Sequence, residues 1–473
     1  MDNEIVRIQR IAITNLKNVE YGEIQISRRR DSLVHGADVL GIYGQNGSGK
    51  TTVINALSIL KFLLMGLPLP DEYAGYITKG KETAALEFEF NISSGDGTHF
   101  VAAYTCTLGV QEGTMLPNML QQPYQVASKK MAVLNETIIF SGFINGQRYI
   151  SQTLARTGNE DYLVSPPSKQ VILFGKDKKN LQELSGIKSV TLFNSQSFLF
   201  ALQTLNLVMK HSSNETYKNI LQILVKYANQ SLFVVDTKNS GLISLDAAIP
   251  FVFKIEDQTG MAAGTFLVSL NDRSSLPKQQ YDVLRKVIHH MNSVLVQLVP
   301  GLTVDIEDHG QQLQEDGISG QLIQLVSVRG GVRLPLKNES DGIIKIISVL
   351  QMLIVLFNSR TITVAIDELD GGIFEYLLGE ILKIIASSGE GQLIFTSHNL
   401  RPLEMLSDRS IWFTTTDAKQ RFTQINVQST NNLRNVYYRD IVLGSDDISL
   451  YDKTNNYEIA LAFRLAGAQD GKA

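Results

Sequence analysis

Residues 39–52 read Val-Leu-Gly-Ile-Tyr-Gly-Gln-Asn-Gly-Ser-Gly-Lys-Thr-Thr, and this stretch decides how the rest of the chain is read. It fits the phosphate-binding pattern G-x-x-x-x-G-K-[ST] at Gly44, Gly49, Lys50 and Thr51. An apolar run, residues 39–43, enters it as a buried strand. A helical spacing leaves it, with Val53, Ile54, Leu57, Leu60 and Leu64 three and four apart. Glycines let the backbone curl, so that the N–H groups of Asn46, Gly47, Ser48, Gly49, Lys50, Thr51 and Thr52 are placed to hold phosphate oxygens. The helix start adds its positive dipole end. Lys50 can then reach the β- and γ-phosphates, and the Thr51 hydroxyl can hold Mg²⁺. An ordinary glycine turn is the alternative, and the strand–loop–helix order argues against it.

Working outward, the chain of 473 residues is long enough for two or three compact lobes. Hydrophobic residues make up 44% and charged residues 19%, the balance of a globular protein with a full core. A net charge of −4 excludes a whole-chain basic field for nucleic acid. Arg28, Arg29 and Arg30 form the one obvious basic run, read as a solvated loop. Cys106 is the single cysteine, so neither an intrachain disulfide nor a cysteine-based metal site can form. The acidic start, Met1-Asp2-Asn3-Glu4, lacks a signal-peptide layout. The longest apolar stretch, residues 343–357, is interrupted by Lys345, Ser348 and Gln351 and falls short of a membrane span. These features predict a soluble, cytoplasmic protein.

Alternation over residues 5–26 predicts two strands before the loop. Residues 84–92 and 100–108 predict a hairpin around Ser93-Ser94-Gly95-Asp96-Gly97. Residues 110–190 read as mixed, with short strand-like runs at 136–140 and 171–174. Residues 197–230 read as helical, 232–270 as strands, and 276–298 as one amphipathic helix closed by Pro300-Gly301. Residues 302–306 and 322–328 follow as strands. No sustained heptad run occurs, so no long coiled-coil arm is expected.

The second half of the site lies far downstream. Residues 362–368, Ile-Thr-Val-Ala-Ile-Asp-Glu, form an apolar strand ending in two acids. In phosphate-loop ATPases the first acid of such a pair, here Asp367, holds Mg²⁺ through water. The second, Glu368, is placed to polarise an attacking water as a base. A further apolar strand, residues 392–396, leads to Ser397-His398-Asn399. A lone histidine is usually a satisfied polar group, but His398 at this strand end can contact a γ-phosphate. Upstream, Glu339-Ser340-Asp341-Gly342 opens a helix over residues 343–356. Ser340 reads as a plain N-cap or as an outward-facing contact for a nucleotide on another protomer.

The ordered set GQNGSGKTT, ESDGIIKIISVL, AIDELD and LIFTSHN resembles the ABC-type ATPases that include RecF, SMC and the OLD nucleases. The resemblance covers residues 5–92 and about 320–415. It implies an α/β fold: an ABC-type ATPase head with an N-terminal β-rich lobe and a compact mixed α/β middle insertion. It divides the chain into a first half-head (1–108), a middle insertion (109–320), a second half-head (321–427) and a tail (428–473). Ser340 and Gly342 match the family's signature element, normally LSGGQ and here ESDGI. Asp370 stands where the family has its interface aspartate, and Gln196 is the candidate for its Q-loop glutamine. ATP and Mg²⁺ are the implied ligands, and a homodimer or higher homo-oligomer the implied assembly.

More narrowly, the layout is similar to stand-alone ATPases of bacterial anti-phage systems of the PARIS and Septu type. There the ATPase controls a separate effector, often a nuclease. The alternative reading is a RecF- or SMC-like repair or recombination ATPase that clamps nucleic acid directly. The acidic charge balance favours the first. A transporter motor would need a membrane partner and an intact LSGGQ. The tail after His398, about 75 residues, is too short for the Toprim nuclease of OLD proteins.

Overall fold

A computed structural model of the chain describes residues 4–26, 36–112, 129–158, 162–236, 248–257, 260–270, 272–313, 319–425, 432–443, 449–452 and 455–468. The chain begins with an antiparallel hairpin, β1 (Ile5–Leu16) and β2 (Val19–Gln25). β3 (Asp38–Tyr43) then delivers the glycine loop to α1 (Lys50–Leu64). β4 (Thr83–Ser93), β5 (His99–Glu112), β6 (Lys129–Ile144) and β7 (Gln147–Arg156) join β1 and β2 in a six-stranded antiparallel sheet of order β2-β1-β4-β5-β6-β7. The 136–140 run thus lies inside a strand of 16 residues. Arg28, Arg29 and Arg30 fall outside the described residues.

Four helices follow: α2 (Pro167–Phe174), α3 (Lys178–Phe193), α4 (Leu202–His211) and α5 (Glu215–Gln230). Residues 171–174 are therefore helical, not strand. Pro167 occupies the first helical position, where its missing N–H costs nothing, and the short apolar run that follows carries no period of its own. β8 (Leu232–Val235) returns to the core. A hairpin, β9 (Ala248–Asp257) and β10 (Gly260–Ser269), leads to β11 (Ser274–Pro277) and α6 (Lys278–Leu298). The helix expected from residue 276 starts at Lys278, because Pro277 holds the preceding residue extended. β12 (Leu302–Leu313) and β13 (Ser319–Arg329) pack under α6, and the exposed β14 (Val332–Pro335) pairs with β13. At 21 residues α6 is the longest helix among those described.

The remaining elements rebuild the core around β3. They are α7 (Asp341–Phe357), β15 (Thr363–Ile366), α8 (Glu375–Ser388), β16 (Gln392–Thr396), α9 (Pro402–Met405), β17 (Ile411–Thr414) and β18 (Phe422–Thr423). α10 (Leu433–Leu443) and α11 (Asn456–Ala468) end the described chain. The second six-stranded sheet has the order β18-β17-β3-β16-β15-β8, parallel except for the β17–β18 pair. β8 comes from the middle of the chain and pairs with β15.

Alternation decides what each face of this sheet covers. Leu40, Ile42, Ala365 and Ile394 turn towards α1 and the first sheet. Val39, Tyr43, Val364, Ile366, Leu393 and Phe395 turn the other way, onto α7 and α8. Twelve of the fifteen residues of α1 are buried, as a helix enclosed between two sheets requires. No described helix is long and apolar enough to cross a membrane.

A buried carboxylate joins the first sheet to the helices. Glu136 on β6, 1% exposed, accepts from Tyr104 Oη (2.8 Å), Ser197 Oγ (2.5 Å), Phe198 N (2.8 Å) and Leu199 N (3.2 Å). Burial pushes its pKa up, and the hydrogen bonds from Ser197, Tyr104 and the two N–H groups oppose that. Glu136→Ala leaves four donors without an acceptor. It should destabilise the fold by roughly 2–4 kcal/mol, read from chemical unfolding.

Candidate functional site

The site assembles where the parallel strands β3, β15, β16 and β8 end on one edge. The glycine loop takes backbone angles that side chains resist: φ is 150° at Gly44, 75° at Gly47 and 104° at Gly49. A Cβ on Gly44 would lie 1.7 Å from Thr414 Oγ1. Around Gly47 a Cβ would meet nothing within 4 Å, so the loop is open on that side. Ser48 Oγ donates to Gln45 O (2.6 Å) and lies 2.5 Å from Thr414 Oγ1, which fastens the loop to β17. Gly49 caps α1 without a side-chain hydrogen bond, and its carbonyl accepts from Thr52 N (3.1 Å). Lys50 Nζ, 6% exposed, donates to Gly44 O (2.8 Å) and Gln45 O (2.9 Å).

The distant acids meet this loop. Thr51 Oγ1 donates to Asp367 Oδ1 (3.2 Å), and Thr396 Oγ1 donates to the same oxygen (2.6 Å). Asp367 is fully buried, whereas Glu368 is exposed. Glu368 N donates to Thr396 Oγ1 (2.8 Å), and the residue stands in the left-handed region at φ 49°. Few non-glycine residues adopt that conformation, and those that do cluster at functional sites. One Thr396 hydroxyl thus fixes both acids. Asp370 Oδ2 accepts from His398 N (3.0 Å) and Asn399 N (2.9 Å), tying the acid loop to the histidine loop. The His398 side chain is exposed.

Three lysines face these carboxylates. Burial lowers the pKa of Lys50, opposed by Asp367, Glu368 and Asp370. It lowers that of Lys17, opposed by Asp367 and Asp236, and that of Lys345, opposed by Glu368, Asp367 and Asp370.

The glycine cradle and cationic loop fit the phosphates of a nucleotide. Thr51 Oγ1 and Asp367 Oδ1 converge as hard oxygen donors of the kind Mg²⁺ takes. Among the described residues no group of three or more His, Cys, Asp or Glu side chains could hold a metal. A cation here would therefore take its other ligands from phosphate and water, as Mg²⁺ does in phosphate sites.

Ser340 and Gly342 are not hydrogen-bonded to the glycine loop. Ser340 is exposed at the start of α7 and its hydroxyl makes no capping bond; its carbonyl accepts from Ile343 N (2.9 Å) and Ile344 N (3.1 Å). Gly342 packs against the acid loop, where a Cβ would lie 2.2 Å from Gly372 O. Gln196 is placed elsewhere. Its Nε2 donates to Gly66 O (3.2 Å), just past the far end of the fifteen-residue α1, because Glu136 anchors the adjoining Ser197.

No protein-family model matches the chain, and no curated relative matches it. Among solved structures it is similar to an SMC head bound to the C-winged helix domain of ScpA (13% identity, TM-score 0.42, 89% of this chain and 98% of that one). It is also similar to the SMC head domain from Thermotoga maritima (11%, 0.36, 89% and 100%). A third is RecF with ATPγS, the recombination mediator of the RecFOR pathway (12%, 0.34, 86% and 97%). At such identities and TM-scores the reading of the site rests on its own geometry.

Four contributors went unread in the sequence. Lys17 and Asn18 form the β1–β2 turn: Lys17 Nζ donates to Asn55 Oδ1, Asn18 Nδ2 donates to Gly47 O, and Thr52 Oγ1 donates to Asn18 Oδ1 (3.3 Å). Asp236 follows β8 just as Asp367 follows β15, because Val235 pairs with Ile366 in parallel register, and Ser58 Oγ donates to it (3.2 Å). Thr414 comes from β17. The one local signal was a Lys-Asn pair at a tight hairpin turn; the rest is register between distant strands. Late in the chain, Asp452 N donates to Gln45 Oε1 (2.8 Å), so a C-terminal segment also touches the loop.

The Gly342–Gly372 contact gives a direct check. Gly342→Ala forces backbone apart and should destabilise the protein by about 1–3 kcal/mol in chemical unfolding, as overpacked sites do. An unchanged unfolding midpoint would show that α7 does not rest on this loop.

Proposed function

We propose that this chain is an ABC-type ATPase that binds ATP with Mg²⁺ and hydrolyses it to ADP and phosphate. Its protomers pair, or assemble further, through the nucleotide. The assembly governs a separate effector protein, a nuclease being the leading kind, in bacterial defence against phage.

The observation that carries the reading is the single network Thr51–Asp367–Thr396–Glu368. It draws residues 316 positions apart in sequence onto the open mouth of a glycine loop. Lys50 and the first-turn N–H groups of α1 bind phosphate oxygens. Thr51 and Asp367 would hold Mg²⁺, which when bound supplies positive charge to the phosphates. Glu368 is exposed at the strand end and takes the proton from water. His398, exposed just past the end of β16, would contact the γ-phosphate.

The free Ser340 hydroxyl supports a contact made to a nucleotide on another protomer. Phe374 (72% exposed) and Tyr376 (55%) follow the acid loop and give that face apolar surface. The net charge of −4 supports a protein partner over a nucleic-acid clamp.

Lys50→Ala removes the point charge in the loop and should abolish binding of labelled ATP; wild-type affinity would remove the site assignment. Glu368→Gln cannot accept the proton, so hydrolysis should fall roughly 10²- to 10⁴-fold while ATP still binds. Uncleaved ATP should then hold protomers together, seen as a larger or longer-lived assembly by size exclusion with light scattering. Normal hydrolysis with unchanged mass would take Glu368 out of the role.

A further inference from the structure

α7 carries a buried lysine that the mechanism above does not use. Lys345 lies one turn into the helix that Ser340 opens, and is 5% exposed. Its neighbours on α7 three and four residues away are the exposed Asp341, Gly342, and the buried Ser348 and Val349, while Ile344 and Ile347 beside it share a core with Val364 and Ile366 of β15 and with Leu369 and Ile373 of the acid loop. An ammonium group is rarely buried among such residues unless it is paired.

Among the described residues Lys345 makes no ion pair and no side-chain hydrogen bond, and helix geometry says which charges it faces. Residues 342 and 345 are three apart and so share a face. Gly342 is pressed on Gly372, which fixes that face towards the acid loop. Side chains on a helix tilt back towards its N-terminus, so Lys345 extends towards the same loop. Asp370 Oδ1 is buried there and accepts no hydrogen bond. Of the charges that oppose the lowering of the Lys345 pKa by burial, Glu368 is the largest, followed by Asp367 and Asp370.

We propose that Lys345 is a positioning residue whose charge orients the carboxylates of the 367–370 strand end towards the start of α7. One side chain then links the helix start that meets a neighbouring protomer's nucleotide to the base of its own site. A shift of α7 on closure moves the ammonium, and with it the base. This role rests on the ATPase reading; the charge coupling itself does not.

Two measurements separate them. In unfolding without nucleotide, Lys345→Met leaves the carboxylates facing one another. Its loss of stability should be smaller on a Glu368→Gln background than in the wild type, because one of the repelling charges is gone. Equal losses would overturn the coupling. In turnover, Lys345→Met should keep ATP affinity within about threefold while kcat falls roughly 10- to 100-fold, the effect of a misplaced catalytic group. Lys345→Arg, which keeps the charge, should retain more turnover than Lys345→Met. Equal turnover in the two variants, or affinity lost along with kcat, would overturn the positioning role. A wild type that neither binds nor hydrolyses ATP, with unequal stability losses, would sink the ATPase reading and leave the coupling standing.

Discussion

The rest of the molecule depends on one buried carboxylate. Asp367 has no solvent contact, and a charge so placed is costly unless donors and cations surround it. They come from separate parts of the chain: Thr51 from the start of α1, Thr396 from the end of β16, Lys17 from the first hairpin. None is near it in sequence. The parallel register of β3, β16, β15 and β8 brings these ends together; both faces of the strands are apolar, and the register decides which side chains meet α1 and which meet α7 and α8. The core therefore does more than stabilise the fold. A one-residue slip of β15 would turn Val364 and Ile366 away from α7 and lift Asp367 out of its ring of donors.

α1 shows how one element serves both layers. It is buried nearly all round, with the first sheet on one side and the second on the other. Its start is held by the loop, by the Asn18 turn and by Asp367 together. The glycine loop is fixed at both flanks, through Thr414 on β17 and Asn18 on the first hairpin. Such a loop needs little reorganisation when an anion arrives, and preorganisation of this kind strengthens electrostatic binding.

Much of this was legible in the sequence where chemistry and pattern coincide locally. The strand–loop–helix around Lys50, the acids closing 362–368 and the strand leading to His398 each carry a period and a terminal residue that report one another. Legibility failed where the deciding partner is remote. Residues 171–174 look extended in isolation, but Pro167 starts a helix there. Gln196 looked eligible as a glutamine between the motifs, yet Glu136 fixes its turn at the wrong end of α1. Asp236 and Thr414 carry no local mark, since only sheet register places them. Lys345 reads in the sequence only as a polar interruption in an apolar stretch. Only the fold shows that it is buried, one turn into α7.

The separation of the half-sites also bears on how the protein is made. Thr51 and Asp367 are 316 residues apart, and Ser48 and Thr414 are 366 apart. At translation rates of roughly 5–20 residues per second, the glycine loop waits about 20 to 70 seconds for the partners that fix it. During that interval β3 has neither β16 nor β17 beside it, and its apolar edges stand open. The nascent chain is thus most exposed to mispairing late in synthesis, after the first sheet can form and before β15 to β17 emerge. A chain halted before residue 411 would hold a complete glycine loop with its β17 side unfastened.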